Sequence, residues 1–354
     1  MYIDYKDAVY TDGDIHFKLG DNVKTVVVPV AYELNFMSGV RFNIDENVLI
    51  KTRERYSEWN NDIRRYVRKF SEPKFLKPSE LTKDTYIGVK VHNKINKYEW
   101  EGVVGKTPWG HIATKDKIKT LVDNNDFWWF VGRYIGDGWV TTSLTSGSEK
   151  KVSRVIVCCA KDEKEELKTV LDKLPYSFSI VEERTVYKFI TVDDELSEFL
   201  KQFGKYAHGK HLTDKILALD KGLLKSFLDG YFSADGYHKD GYYKLSSVSE
   251  RLIYDTAKCI MKVYNRPVSI YKTKRPPKCV IEGRVVNQRD TYTVTFKQEA
   301  KKQDRAFYED GYVWSPINSI EKVYNVEMAY ISNDIATINN IEMFEDYVES
   351  EIVA

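Results

Sequence analysis

A helix-forming stretch that ends in Asp-Gly occurs twice in this 354-residue chain, and that repetition constrains the fold more than any other feature. In DFWWFVGRYIGDG, Phe127, Phe130, Val131, Tyr134 and Ile135 fall at helical spacing, and Asp126 is placed to cap the start. In DKGLLKSFLDGYFSADG, Asp220 can cap in the same way, ahead of a wide apolar stripe running from Leu223 to Phe232. Each stretch carries two small residues four apart, Gly132 with Gly136 and Gly230 with Ala234. Small residues one turn apart leave a smooth strip on which another backbone can lie closely, so the two helices are expected to pack on each other. With average glycine and aspartate usage, a Gly, three any, small, Asp, Gly pattern arises by chance in roughly 2% of chains this long, and two copies in on the order of one in a thousand. From Leu121 the chain reads helix, strands, helix, strands, helix, and begins again near Asp220, as a divergent duplication would.

The Asp-Gly ends carry the chemistry. A helix C-terminus bears partial negative charge, so Asp137 and Asp235 sit where a carboxylate is disfavoured unless a cation compensates it. If the helices pack along their small residues, both ends emerge together. Two carboxylates side by side make a hard-oxygen site suited to magnesium.

Composition sets broad limits. With 42% hydrophobic and 30% charged residues the chain should be globular, and no apolar run approaches the length of a membrane span. The polar, acidic N-terminus differs from a secretory leader, so an intracellular protein without membrane contact is expected. Cys158, Cys159, Cys259 and Cys279 lack the spacing of a zinc site and the density of a disulfide scaffold, and the six histidines show no recurrent ligand spacing. A net charge of +1 says little about partners, but cations gather at Lys51 to Lys74 and at Tyr271 to Arg289. Residues 1 to about 90 alternate short β-type runs with turns, with one basic helix-like stretch near Asp62 to Phe70. The polar, Lys-rich stretch from His92 to Lys119 reads as a linker.

Phe130 to Gly138 (FVGRYIGDG) and Leu228 to Gly236 (LDGYFSADG) resemble the two signature motifs of monomeric LAGLIDADG homing endonucleases, over roughly residues 120 to 305. The resemblance implies an α+β fold, a pseudo-symmetric, duplicated αββαββα core whose paired helices join the halves and whose strands form a saddle over double-stranded DNA. It implies that Asp137 and Asp235, with the backbone at Gly136 and Ala234, hold Mg2+, two or more ions in all. It places a lysine beside each half's solvent pocket. KYAHGKHLTDKIL puts Lys210 there in the first half, and FKQEAKKQDRAF offers Lys301 or Lys302, with Lys297 open, in the second.

The outer regions resemble a splicing domain. NVLIKTRERYSEW with KFLKPSELTKDTYIGVKV, and GYVWSPINSIEKVYNVEM, are similar to parts of a mostly-β Hint or intein domain. The expected organisation is a degenerate Hint-like domain (1–95 and 306–354), a linker (96–119), and two endonuclease halves (120–219 and 220–305). The splicing chemistry departs from the family. No Cys or Ser precedes Ser38, Ile44-Asp45-Glu46-Asn47 replaces the Thr-x-x-His motif, and the terminal His-Asn is absent from NNIEMFEDY. The expected function is therefore a free-standing, monomeric homing endonuclease of a mobile genetic element, which makes a double-strand break in a long DNA site by metal-dependent hydrolysis. Its expected DNA contacts are Arg64, Arg65, Arg68, Lys239, Lys272, Lys274, Arg275, Arg284 and Arg289. The alternatives are a splicing-active intein and a non-cleaving nucleic-acid-binding relative, a maturase or regulator.

Overall fold

In a computed structural model the described residues are all but 1, 4–8, 12–13, 18–24, 37–40, 92, 107–110, 145–150, 282, 301–303, 331–334, 339–340 and 346–354. The chain mixes α and β structure and divides into two compact units. The first unit comprises 1–91, 265–271 and 299–354, and the second 92–264 and 272–298. Residues 265–271 and 299–305, which the sequence places in the second half, therefore group with the first unit.

Among its described residues the first unit is mostly β, with one short 3-10 helix, Pro78–Glu80. Its long strand Tyr312–Tyr330 runs antiparallel to Thr25–Phe36 and, through its first residues, to Thr85–Lys90. Ala31, Leu34, Ile44, Ile50, Ile87, Trp314 and Ile317 supply its core. A two-stranded ribbon projects from this sheet, formed by Val48–Asn60 and Arg65–Phe70. The helix expected near Asp62 to Phe70 is thus a turn followed by a strand. The Asn60 Oδ1 accepts from Asp62 N at 3.0 Å and Ile63 N at 3.1 Å, and Arg64 adopts a left-handed φ of 48°. That geometry reverses the chain. Phe70 then packs on Tyr86 and Phe307, distant contacts that override local helical preference.

The second unit carries seven α-helices among its described residues: α1 (Asn125–Asp137), α2 (Lys164–Leu171), α3 (Asp194–Lys201), α4 (Tyr206–Gly209), α5 (Asp214–Leu217), α6 (Lys221–Asp235) and α7 (Glu250–Tyr264). After α1 come strands Gly138–Leu144 and Lys151–Ala160, α2, strands Ser179–Glu182 and Val186–Thr191, and α3. After α6 the chain continues through strands Gly236–Lys239 and Tyr242–Ser247, α7, strand Val268–Thr273, whose residues 268–271 are counted with the first unit, an inserted hairpin (Lys278–Ile281 and Arg284–Asn287), and strand Thr291–Lys297. Leaving the hairpin aside, each four-stranded sheet has its strands in the order first, second, fourth, third. The two halves thus share one topology.

Within 92–119 the described residues, which leave out 92 and 107–110, are structured. They form a hairpin, Val103–Lys106 with Ile112–Lys115, and bury Tyr98 against Trp128 and Phe199 at ring distances of 5.1 and 5.8 Å. The buried Glu195 carboxylate accepts from Trp100 Nε1, Lys117 N and Ile118 N. A buried carboxylate with three donors ties this segment to α3, so it is part of the unit's core and no free tether. Among the described residues no helix is long and apolar enough to cross a membrane. The four cysteines are free thiols.

Candidate active site

The site is built where α1 and α6 cross. Each helix starts at a side-chain cap. Asn124 Oδ1 accepts from Asp126 N at 2.7 Å and Phe127 N at 3.1 Å, and Asp220 Oδ1 accepts from Gly222 N at 2.8 Å and Leu223 N at 3.2 Å. The expected cap Asp126 instead lies in the first turn, where its carboxylate meets Lys173 at 3.0 Å. Four cap-forming residues, Asp123 to Asp126, stand in a row here, and the extended backbone of Asn124 decides which one serves.

Apolar faces then bring the helices together. Phe127, Trp128, Phe130 and Val131 of α1 and Leu224, Phe227, Leu228 and Tyr231 of α6 are buried, each large side chain stabilising by about 1.5–3 kcal/mol. The glycines set the spacing. A methyl group on Gly132 would fall 1.9 Å from the Phe227 carbonyl oxygen, and one on Gly230 would fall 1.9 Å from that of Trp129. The backbones are therefore in direct contact at the crossing. One turn on, a methyl on Gly136 would lie 2.2 Å from Ala234 Cβ and 3.3 Å from Asp235 Oδ2. The ends of the two helices, and with them Asp137 and Asp235, stay adjacent.

Both helices pass directly into strands. Gly138 and Gly236 have φ of −113° and −86°, so neither needs a left-handed backbone. They are small because of crowding: an added methyl would sit 2.3 Å from Tyr134 Cδ2 in one case and 2.3 Å from Phe232 O in the other.

Charge at this junction is unbalanced. Burial pushes the Asp137 carboxyl up, and the Arg133 guanidinium opposes that rise. Asp235 opens to solvent on one side and is crowded by protein on the other; burial, then the neighbouring Asp137 charge, pushes it up to about 6. Lys210, at 9% exposure, is pushed down to about 8 by burial, while both aspartates act to keep it charged. Its Nζ donates to the carbonyls of Tyr134 (3.2 Å), Ile135 (2.5 Å), Gly136 (3.2 Å) and Gly138 (2.9 Å). Lys210 thus caps the carbonyl end of α1, where a cation is favoured by the helix dipole. An open cleft of about 1040 Å3 lies beside it, lined among others by Asp137, Trp139, Thr142, Cys158, Lys205 and Lys210.

These residues suit a divalent ion of the magnesium type. Such ions take one or two protein carboxylates and complete their shell with water and substrate phosphate oxygens. Two adjacent carboxylates, both with proton affinity raised first by burial, supply that donor set. Among the described residues no group of three or more His, Cys, Asp or Glu forms a closed metal cage.

The other sequence-derived residues are dispersed. Arg64, Arg65 and Arg68 lie exposed on the ribbon of the first unit, beside the edge-on pair Trp59 and Tyr66. In the second unit Lys239 is exposed at the end of its strand, as are Lys274, Arg275 and Arg289 around the inserted hairpin. Lys272 meets Asp290 at 3.2 Å and sits over the Tyr292 ring. The Arg284 side chain, and Lys301 and Lys302 altogether, lie outside the described residues. Lys297 ends the strand Thr291–Lys297, paired through its backbone with Tyr242.

One residue escapes a reading of the sequence. Arg133, 3% exposed, meets Asp137 Oδ2 at 3.1 Å and Glu163 Oε2 at 2.7 Å, and donates to the carbonyls of Ser233 and Cys158. Its signal is present there: a cation stands one turn before the aspartate on an otherwise apolar helix face.

No protein-family model matches the chain, and no curated protein matches it. Among solved structures it is similar to the homing endonuclease I-DmoI in complex with DNA and Mn, at 13% identity and a TM-score of 0.36, over 49% of this chain and 89% of that one. Mesophilic variants of I-DmoI give 13% identity and 0.36, over 49% and 83%. The N-terminal LAGLIDADG domain of DUF199/WhiA gives 15% identity and 0.30, over 49% and 75%. The likeness is distant and carries no functional inference by itself.

Proposed function

We propose that this chain is a LAGLIDADG-type homing endonuclease, a monomer that makes a double-strand break in a long DNA site by divalent-metal-dependent hydrolysis. The observation that carries this reading is the convergence of Asp137 and Asp235 at the glycine-crossed ends of α1 and α6, one from each of two halves with the same strand order. A bound divalent ion would polarise phosphate and water oxygens. The chain's own groups do the rest. Asp137 and Asp235 hold negative charge at one point, and Lys210 fixes the end of α1 on which Asp137 is mounted. Trp139 and Tyr237, exposed on the strands that leave the two helices, stand where a duplex laid across the sheets would meet them. We place Lys301, Lys302 or Lys297 as the second half's lysine on the resemblance alone.

We also propose that the first unit is a degenerate splicing domain into which the duplicated core is inserted. Its assembly from segments at both ends of the chain supports this reading. The direct test incubates the protein and Mg2+ with a plasmid pool bearing randomised inserts, then sequences captured ends. Linear plasmids with one shared sequence at their ends are expected; a pool left intact, or cut without preference, would reject the reading.

The ribbon of the first unit and the segment 272–289 are proposed to face the phosphate backbone. Neutralising Arg64, Arg65 and Arg68 to Gln should flatten the slope of log affinity against log salt by about one unit for each phosphate left without its cation. The check is fluorescence-anisotropy titration of labelled duplex at several salt concentrations. An unchanged slope would return these arginines to an ordinary solvated face.

A further inference from the structure

We infer that Arg133 is a positioning residue that fixes the angle of Asp137 against the end of α6 and makes the two halves of the site unequal. For its activity readout this inference rests on the endonuclease reading.

Packing alone gives no reason for a cation here. One turn to either side of Arg133 on α1 stand Trp129, the buried Phe130, Gly136 and Asp137, so apart from Asp137 the helix itself offers the guanidinium no polar side chain. Burying a guanidinium is expensive unless its donors are paired with good geometry. Its partners come from separate parts of the site. One terminal nitrogen donates to the Ser233 carbonyl and lies 3.3 Å from Ser233 Oγ, on the last turn of α6 two residues before Asp235. The other meets Asp137 Oδ2, Glu163 Oε2 and the Cys158 carbonyl. Glu163 is itself held, since the same oxygen accepts from Ala160 N at 3.2 Å. The guanidinium therefore joins α1, the end of α6, the second strand of the first sheet and the corner before α2.

The second half has no counterpart. Gly132 matches Gly230 and Asp137 matches Asp235, so Arg133 matches Tyr231 (133 + 98 = 231, with 98 = 235 − 137). Tyr231 is a fully buried phenol. One oxygen of Asp137 is thus committed to a fixed cation, whereas Asp235 has no cation one turn back on its own helix. Two roles follow, with opposite signs. As a charge, Arg133 weakens the hold of Asp137 on a mobile divalent cation. As a clamp, it keeps Asp137 at the angle and distance from Asp235 that cutting requires, and effects of position on rate are large.

The opposition makes the test decisive. Arg133→Leu and Arg133→Lys would be compared with the wild type by Mn2+ titration of the metal-free protein, read by paramagnetic resonance of free Mn2+. Strand-resolved cleavage of a doubly end-labelled duplex taken from the plasmid selection, and melting temperature, complete the set. Leu should bind Mn2+ roughly fivefold or more tightly, since a charge touching the carboxylate is gone. Its cleavage of one strand should fall by about tenfold or more relative to the other. Lys should restore wild-type Mn2+ affinity but keep the strand bias, because a point charge cannot hold Asp137 and Ser233 together as a planar fork does. A purely structural role predicts something else: Mn2+ binding unchanged or weaker, and both strands slowed together in step with the melting temperature. That pattern would overturn the inference. If Leu fails to fold, Lys alone decides through the strand ratio, and an unbiased ratio rejects the clamp. If the wild type cuts nothing from the pool, the endonuclease reading falls, and the Mn2+ titration still decides the role of Arg133: no difference between Leu and wild type rejects it.

Discussion

Gly132→Ala and Gly230→Ala are each expected to destabilise the second unit by roughly 3 kcal/mol or more, at the upper end of overpacking effects. A unit of this size should then melt about 10 °C lower. The cause is the crossing of α1 and α6, where the methyl would fall 1.9 Å from Phe227 O or from Trp129 O. Those atoms are backbone, so no rotamer change can make room. The helices must part, and parting also unpacks Phe127, Phe130, Phe227 and Leu228. Gly209→Ala is the control, because a methyl there meets nothing within 4 Å. Thermal melting by circular dichroism of the three variants checks the account. Equal stability of all three would mean that the helices do not touch at these glycines.

Asp235→Asn is expected to lose metal-dependent cutting by about three orders of magnitude, the scale of losing one principal charge-stabilising group, yet to gain stability near neutral pH. The carboxyl is raised from 3.8 to about 6 in the folded state by burial and by Asp137. A raised carboxyl pKa means that the folded state binds the proton more tightly than the unfolded chain does. Stability is therefore lost as pH rises from near 4 through 6, and the full cost of the ionised group applies above about 6. Asparagine removes that cost. Because Asp235 is open to solvent on one side, screening reduces the gain to a modest rise in melting temperature. The rise should be present at pH 7.5 and absent at pH 4. Saturating Mg2+ should shrink the difference, since the ion stabilises the wild-type carboxylate only. A melting temperature lower than wild type at pH 7.5 without metal would show that Asp235 is a structural partner and not a strained, uncompensated charge.

The helices were legible in the sequence because their determinants are local. Gly132, Gly136, Gly230 and Ala234 recur at one-turn spacing, and Asp220 caps α6 as its position before the apolar stripe suggests. What the sequence hides depends on distant partners. The strand Arg65–Phe70 follows from cross-strand pairing with Val48–Asn60, which extends from Asn60–Arg65 out to Arg55–Phe70, and from the packing of Phe70 on Phe307, a partner far along the chain. Segment 92–119 resembles a tether because lysines dominate it. Tyr98, Trp100 and Ile118 decide otherwise, together with a distant carboxylate, Glu195, which lies 95 residues after Trp100 and 77 after Ile118. Arg133 is the same lesson at the site itself. Its position one turn before Asp137 is visible, but its anchors at Glu163 and Ser233 come from elsewhere in the chain. The N-cap of α1 lies at Asn124, two residues before the expected Asp126, because adjacent cap-forming residues are resolved only by backbone angles.

In the proposed endonuclease, one carboxylate from each half is needed for cutting. The most direct measurement is the rate at which each strand of the pool-selected duplex is cut in Mg2+ by the wild type, by Asp137→Asn and by Asp235→Asn, with duplex affinity measured separately in Ca2+. Scission of both strands by the wild type, leaving ends produced by hydrolysis, is expected, with loss of double-strand cutting in each variant and affinity within a few-fold of wild type. Wild-type rates on both strands in either variant would contradict that requirement.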